Sequence, residues 1–454
     1  MSIQHPTSLE SFLQEVQSQF EQRLRIEDLL ALSKKLQAEL QEQLTSGAQS
    51  QRMLPSLNYE LPTGQEQGTF LALEVGGSNL RMALVELNGR DLGMRIQQTM
   101  CFPIDTDIRQ LKEYAFFDWM AERIGELLGV EAKPSGYTAG NGPLPMGVAW
   151  SFPLESVQTM GPTTHVRDQK LNVRLDAIVN DSSSALLARA YLDPATRLAT
   201  ILGTGMNAAV HLPIAALDSS KFRSRASPVG NITHVLTNTE LSMFGKGIFP
   251  TTRWDDILNT AHTLPDYQPF EYLVAGKYTG EIVRLIIVEA TQTAGLFDGL
   301  LSQSFGNTPY AFDTKDLAFI DIDTSPGLAD SRALFQQRHP FPHMPSERDI
   351  VFIKDVVRRV STRSIAYFTV GIHALTAMLQ KLETIDMDHV TIGCDGSIIN
   401  KYPGYMERAQ ATLDEMVTHD SVAGKKRIVL ESTIDSAVLG AAVAGAMAAS
   451  VVNS

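Results

Sequence analysis

Apolar residues Leu9, Phe12, Leu13, Val16, Phe20 and Leu24 recur at helical spacing behind a Thr7–Glu10 capping-box pattern. They predict one long amphipathic helix running toward Gly47. The turn-rich stretch NYELPTGQEQGT (58–69) then reads as a connector. Beyond it, LALEVGGSNLRMALV (71–85) is apolar on both sides of a glycine turn and predicts a buried β-hairpin; LATILGTGMNAAV (198–210) repeats that design. Between them, a glycine-rich loop at 134–147 leads into a strand ending in GVAWSFP, and LDAIVND (175–181) predicts a strand closing at a turn. SSSALLARAYL (182–192) predicts the helix that follows. Downstream, residues 270–291 and 348–379 carry strong helical patterns, HVTIGCDGS (389–397) predicts a strand and turn, and an Ala/Gly-rich helix follows from Ser436. Strands alternating with helices indicate an α/β architecture, and two similar glycine hairpins suggest two structurally related halves.

Composition narrows the function classes. A chain of 454 residues exceeds one ordinary core, so two domains are expected, with a cleft between them. Its 38 basic and 51 acidic side chains leave a net charge of −13, which argues against a nucleic-acid or anionic-membrane surface. Cys101 and Cys394 lie far apart in sequence and are the only cysteines, which disfavours a disulfide scaffold and points to a reducing, cytoplasmic setting. The N-terminal residues lack the basic-then-apolar pattern of a secretory signal. The uncharged run from Ser436 to Val452 is short for a membrane span and reads as a packed helix.

The glycine turns carry the chemistry. Backbone N–H groups in such a turn converge on phosphate oxygens because no Cβ blocks the approach. Gly76, Gly77, Ser78 and Asn79 are placed to cradle a phosphate tail, with Arg81 adding a charge-assisted contact; an ordinary hairpin tip is the competing reading. Gly203, Thr204 and Gly205, with Asn207, form a second such turn. Asn180-Asp181 sits at a strand end between the hairpins, where an Asp either accepts a proton from an attacking hydroxyl or merely caps the next helix. Asn238, Glu240 and Glu271 together would supply the amide and carboxylate acceptors that a polyhydroxylated ligand needs, although taken singly Glu271 reads as a solvated helix residue and Asn238 as a turn former.

In this order, the motifs LEVGGSNLR (73–81), WSFPLE (150–155), IVNDSSSALLA (178–188), LGTGMNAAV (202–210), TNTELSMFG (237–245), FPTTRWD (249–255), PFEYLVAGKYTGEIVR (269–284) and TIGCDGSIINKYPGY (391–405) resemble the hexokinase family of ATP-dependent sugar kinases. Within it the chain looks most like the fungal N-acetylglucosamine kinases. The resemblance implies a two-lobed, actin-like ATPase (ribonuclease H-like) α/β fold with a central cleft that closes over a sugar and Mg-ATP. The implied small lobe is 69–180, with the helix of 436–454 packing on it; 1–68 and 181–435 form the large lobe, and the sequence halves are about 9–211 and 212–449. Asp181 is implied as general base for the sugar 6-hydroxyl of N-acetylglucosamine or a related hexose such as glucose. Ser151, Phe152, Asn180, Asn238, Glu240 and Glu271 are implied sugar ligands. The two hairpins would hold ATP phosphates, Asp395, Gly396 and Ser397 would lie by the nucleoside, and Glu74 would hold Mg²⁺ through water. The sequence departs from the family at three places: Glu74 replaces an Asp, 154–180 is shorter than usual and lacks the hydroxyl- and lysine-bearing sugar segment, and DSAVLGAAVAG (435–445) replaces a more glycine-rich nucleotide-contacting turn, where Ala437 and Val438 would crowd the ATP. These departures leave open a second reading, a catalytically impaired sugar sensor that acts through a protein partner.

Overall fold

A computed structural model describes residues 8–47, 49–112, 114–129, 142–151, 171–222, 232–383, 389–420 and 427–452. The strands form two mixed sheets. Short β1 (Leu54–Pro55) edges one of them. The other contains β2 (Gln67–Val75), β3 (Asn79–Asn88), β4 (Met94–Pro103), β5 (Leu144–Trp150) and β6 (Val173–Val179) in the order β4-β3-β2-β5-β6. The larger sheet adds β7 (Thr196–Leu202), β8 (Met206–Pro213), β9 (His234–Asn238), β10 (His389–Asp395) and β11 (Arg427–Ser432) in the order β1-β9-β8-β7-β10-β11. Setting β1 aside, both sheets follow one plan. A three-strand antiparallel meander extends to one side of its first strand, and two parallel strands extend to the other. The tips of β2–β3 and β7–β8 therefore occupy equivalent places in the two halves.

Burial explains the nearly continuous apolar runs in the smaller sheet, since both faces are covered. Along β2, Leu71, Leu73 and Val75 face Met120, Ile124 and Leu127 of the helix Ala115–Leu128. Phe70 and Ala72 face the opposite core, made with the helices Asp181–Leu192 and Ser436–Val452. The Ser436–Val452 helix lies against β2, β5 and β6 as well as the 181–192 helix. It comes very close: a Cβ on Gly147 would sit 1.8 Å from the Ala441 carbonyl oxygen, and one on Gly440 would sit 1.8 Å from that of Ser184. Among the described residues no helix is long and apolar enough to cross a membrane.

Two helical expectations are corrected. The N-terminal stretch forms two helices, Leu9–Phe20 and Ile26–Leu44, with Ser8 as the first N-cap and Arg23 between them at φ 60°. The break lets Phe20 reach the buried Trp254 and lie under Arg363, whose guanidinium pairs with Asp255 at 2.6 and 2.8 Å. Residues 270–291 also divide, at extended Ala275, into Glu271–Val274 and Gly276–Ala294. There the Gly276 N–H turns onto the Gly203 carbonyl at 2.8 Å, docking a helix start on the β7–β8 tip.

Candidate active site

The two glycine tips are glycine-rich for different reasons. At Gly76 an added Cβ would meet only the Asn79 carbonyl oxygen, at 3.6 Å, and at Gly77 nothing within 4 Å. Neither residue has a positive φ. Neither the turn nor the packing of the chain demands glycine there, so the tip leaves a bare backbone ledge of the kind that suits a pressed-in phosphate. Ser78 and Asn79 close the turn, with Gly76 N–H donating to Asn79 O at 3.0 Å. The second tip is tightly packed: a Cβ on Gly203 would lie 3.1 Å from Ser397 N, and one on Gly205 2.7 Å from Glu271 Oε2. Thr204 lies between them, and its carbonyl accepts from Lys277 N–H at 3.2 Å.

Asp181 opens the helix that follows β6. The capping role belongs to Asn180, whose Oδ1 accepts from Ser182 N–H at 3.0 Å. Asp181 Oδ2 accepts from Ser151 Oγ at 2.9 Å, and Oδ1 accepts from Ser182 N–H at 2.7 Å. Burial raises the Asp181 pKa, and the bonds from Ser151, Ser182 and Asn180 oppose the rise. The result is a carboxylate held in one orientation and made more basic than in water. Phe152 and the 154–170 part of the shortened segment lie outside the described residues.

Asn238 and Glu240 meet at the end of β9. Asn238 Nδ2 donates to Glu240 Oε1 at 2.8 Å, while Asn207 Nδ2 donates to Asn238 Oδ1 at 3.0 Å. Glu240 adopts a left-handed φ of 53°, a strained conformation for a side chain of its size that suits a functional position. Glu271 is only 7% exposed, contrary to the solvated reading its helix start invites, and its Oε2 accepts from Met206 N–H at 2.9 Å. Both Glu240 and Glu271 have raised pKa values, first from burial; the charge of Asp181 adds to the rise at Glu240, and that of Glu240 adds to it at Glu271. These couplings bring Asp181, Glu240 and Glu271 into one acidic neighbourhood.

Glu74, at the foot of the first tip, joins the same group. Burial pushes it up to about 6; Arg81 opposes this, and Asp181, Asp395 and Asp435 add to it. Arg81 is already engaged, donating from Nη1 to Asp435 Oδ1 at 2.6 Å. Asp395 is structural as well as central. Its Oδ1 accepts from Gly396 N–H and Asn400 Nδ2, each at 2.6 Å, and its Oδ2 accepts from Ser436 N–H and Oγ at 2.8 and 2.6 Å. The surplus of carboxylate oxygen fits a hard divalent cation, which would relieve the charge raising Glu74. Among the described residues no three His, Cys, Asp or Glu side chains converge as a metal cage, so water and substrate oxygens would complete such a cation's shell.

Next to the second tip is a cavity of about 370 Å³, reached by Thr204, Lys277, Lys315, Ser397 and Lys401. Sequence reading anticipated Thr204 and Ser397 but missed the three lysines. Lys277 and Lys401 fall inside quoted motifs, where a basic residue beside a phosphate turn was an available signal; Lys315 had none. The 395–397 turn links the tips: Ser397 packs on Gly203, and Asp395 acts electrostatically on Glu74.

A protein-family model described as Hexokinase matches residues 197–447, and another of the same description matches 13–161. Hexokinase-2 of Candida albicans is 28% identical over 472 aligned positions, covering 97% of this chain and 93% of its own. Hexokinase-1 of Saccharomyces cerevisiae is 28% identical over 431 positions, covering 90% and 86%. A solved hexokinase from Schistosoma mansoni, complexed with glucose, matches with a TM-score of 0.78 at 22% identity, over 97% of this chain and 100% of its own. The last likeness concerns the fold alone, the two-lobed actin-like α/β arrangement that the sequence implied.

Proposed function

Because the chain belongs to the hexokinase family of ATP-dependent sugar kinases, we propose that Asp181 is the general base that takes the proton from a hexose 6-hydroxyl as ATP gives up its terminal phosphoryl group. The observation that carries this is the Asp181 carboxylate, partly buried, raised in pKa and aimed by Ser151 and Ser182. A base made more acidic-shy in this way is better matched to a neutral hydroxyl than an ordinary Asp. Asn180, Asn238, Glu240 and Glu271 bind and orient the sugar hydroxyls, with Ser151 and Phe152 completing the site. The bare ledge at Gly76, Gly77, Ser78 and Asn79 holds one part of the triphosphate, and the Gly203–Gly205 tip holds another. The nucleoside lies in the cavity bounded by Ser397, Lys277, Lys315 and Lys401, beside the Asp395-Gly396 turn. Arg81 acts by fixing Asp435 and the 435–436 turn, and through its charge on Glu74, more than by gripping phosphate itself.

Magnesium, when bound with ATP, neutralises charge that builds on the phosphates; Glu74 is the residue of this chain that would hold it, through water. Closure of the two lobes excludes water, which would otherwise compete as phosphoryl acceptor. The substrate is a hexose, with N-acetylglucosamine and glucose as the two to separate. Purified protein with Mg-ATP and a sugar panel should release ADP only when a sugar is present, and Asp181→Ala should lower kcat by about 10²-fold or more with unchanged circular dichroism. Full activity in that variant removes the proposed base. Glu74 in place of Asp favours a second reading, a sugar-binding regulator with little turnover. Calorimetric sugar binding without ADP release on any hexose would select it.

A further inference from the structure

At the other end of the helix Asp181–Leu192, roughly 14 Å along its axis from Asp181, lies a separate cavity of about 390 Å³. That falls within the ~300–1,000 Å³ usual for small-molecule sites. No residue assigned to sugar or nucleotide above lines it. Its walls come from both sheets and from the chain that joins them. Leu61 and Pro62 belong to the connection into β2, Arg90 to the β3–β4 turn, Arg197 to β7, His211 to β8 and His234 to β9.

The charge here is opposite to that of the catalytic cleft. Arg90 donates from Nε to Tyr191 O at 3.0 Å and from Nη2 to Ala190 O at 3.4 Å; Arg197 donates from Nη1 to Pro194 O at 2.7 Å and Thr196 O at 2.8 Å. All four partners are neutral carbonyls. Among the described residues neither guanidinium pairs with a carboxylate. The nearby acids are bonded to the cavity's own rim and wall: Glu66 accepts from Thr63 and Gly64, and Glu383 pairs with His234 Nε2 at 3.0 Å. His211 stacks on His234 with ring centres 5.1 Å apart, and its Nε2–H donates to Tyr59 O at 3.0 Å. Burial, opposed by the bond to Tyr59 and aided by His234 and Arg197, holds the His211 pKa down to about 4, so this ring is neutral. Two guanidinium groups, neither paired with a carboxylate among the described residues, thus line a half-open cavity, and the carboxylate bonded to its wall, Glu383, is held by His234.

We propose that this cavity is a second ligand site that takes a phosphate group, free or carried on a small metabolite. Arg90 and Arg197 grip the phosphate through their remaining N–H groups, as guanidinium forks do. Leu61, Pro62 and Pro194 offer an apolar wall to a carbon skeleton. An occupant touches the inter-sheet connection and both sheets together, at the end of the base-bearing helix remote from its carboxylate.

The test is titration calorimetry on the full chain with inorganic phosphate and, separately, ribose 5-phosphate. The Arg90→Gln/Arg197→Gln double variant should bind at least tenfold more weakly, Arg197→Lys should retain most of the affinity, and Lys277→Gln in the nucleotide cavity should leave the arginine-dependent binding in place. Tighter binding of ribose 5-phosphate assigns a phosphorylated metabolite; equal affinities assign free phosphate. Equal binding by the wild type and the double variant, loss only in Lys277→Gln, or no heat from either probe at millimolar concentration overturns the proposal. If the double variant fails to fold, single Arg197→Gln and His211→Gln carry the same comparison. Turnover plays no part in the readout, so its failure stays distinguishable from failure of the kinase reading.

Discussion

Ser151 and Asp181 form a short hydrogen-bonded pair whose direction has a measurable effect. The Ser151 hydroxyl stabilises the ionised carboxylate and lowers a pKa that burial has raised. Ser151→Ala should therefore raise that pKa further and move the acid limb of the kcat/KM profile to higher pH, as read from sugar-dependent ADP release. Glu74 gives the complementary case. Its folded value of about 6 lies above the ordinary glutamate value of 4.5, so the folded state holds the proton more tightly. By linkage this group adds stability as pH falls through that window and withdraws it as pH rises. Glu74→Gln should raise Tm at neutral pH and flatten its dependence on pH between 4.5 and 6, while raising KM for Mg-ATP. A thermal melt series and initial rates check both halves. Much of this site was legible at the residue scale, because Asp181, Asn238, Glu240 and Glu271 stand in recognisable order. Their partners were not. Arg81 meets Asp435 across 354 positions, and a distant partner leaves no local mark on either segment.

At the scale of elements, the glycines separate two jobs that look alike in sequence. A Cβ at Gly77 enters open space, whereas one at Gly440 strikes the Ser184 carbonyl. Gly77→Ala should leave Tm unchanged yet raise KM for ATP several-fold; Gly440→Ala should destabilise by about 3 kcal/mol, the upper part of the range for overpacking. Denaturant melts and steady-state kinetics on the two variants make the comparison. Hairpins and long helices were readable from their periods. The break at Arg23 was not, because an L-residue at positive φ is held by tertiary packing around Trp254 and Arg363 rather than by its own preference. The burial of Glu271 was not readable either, since it depends on Gly205 permitting close approach.

Across the whole molecule, the repeated sheet plan sets two equivalent hairpin tips around one acidic centre. The repetition was already visible in the two glycine turns, but strand order was not, because parallel neighbours such as β7 and β10 are far apart along the chain. If the lobes close on sugar, saturating hexose should reduce the radius of gyration in small-angle scattering, and a hexose lacking the 6-hydroxyl should still do so without ADP release. Unchanged scattering with the favoured substrate would separate binding from closure.

The helix Ser436–Val452 has a consequence for how the chain is made. It completes one face of a sheet whose strands are translated long before it. Until residues 436–452 have been made those strands lack this cover, so this half of the molecule becomes native only once that helix can pack on them.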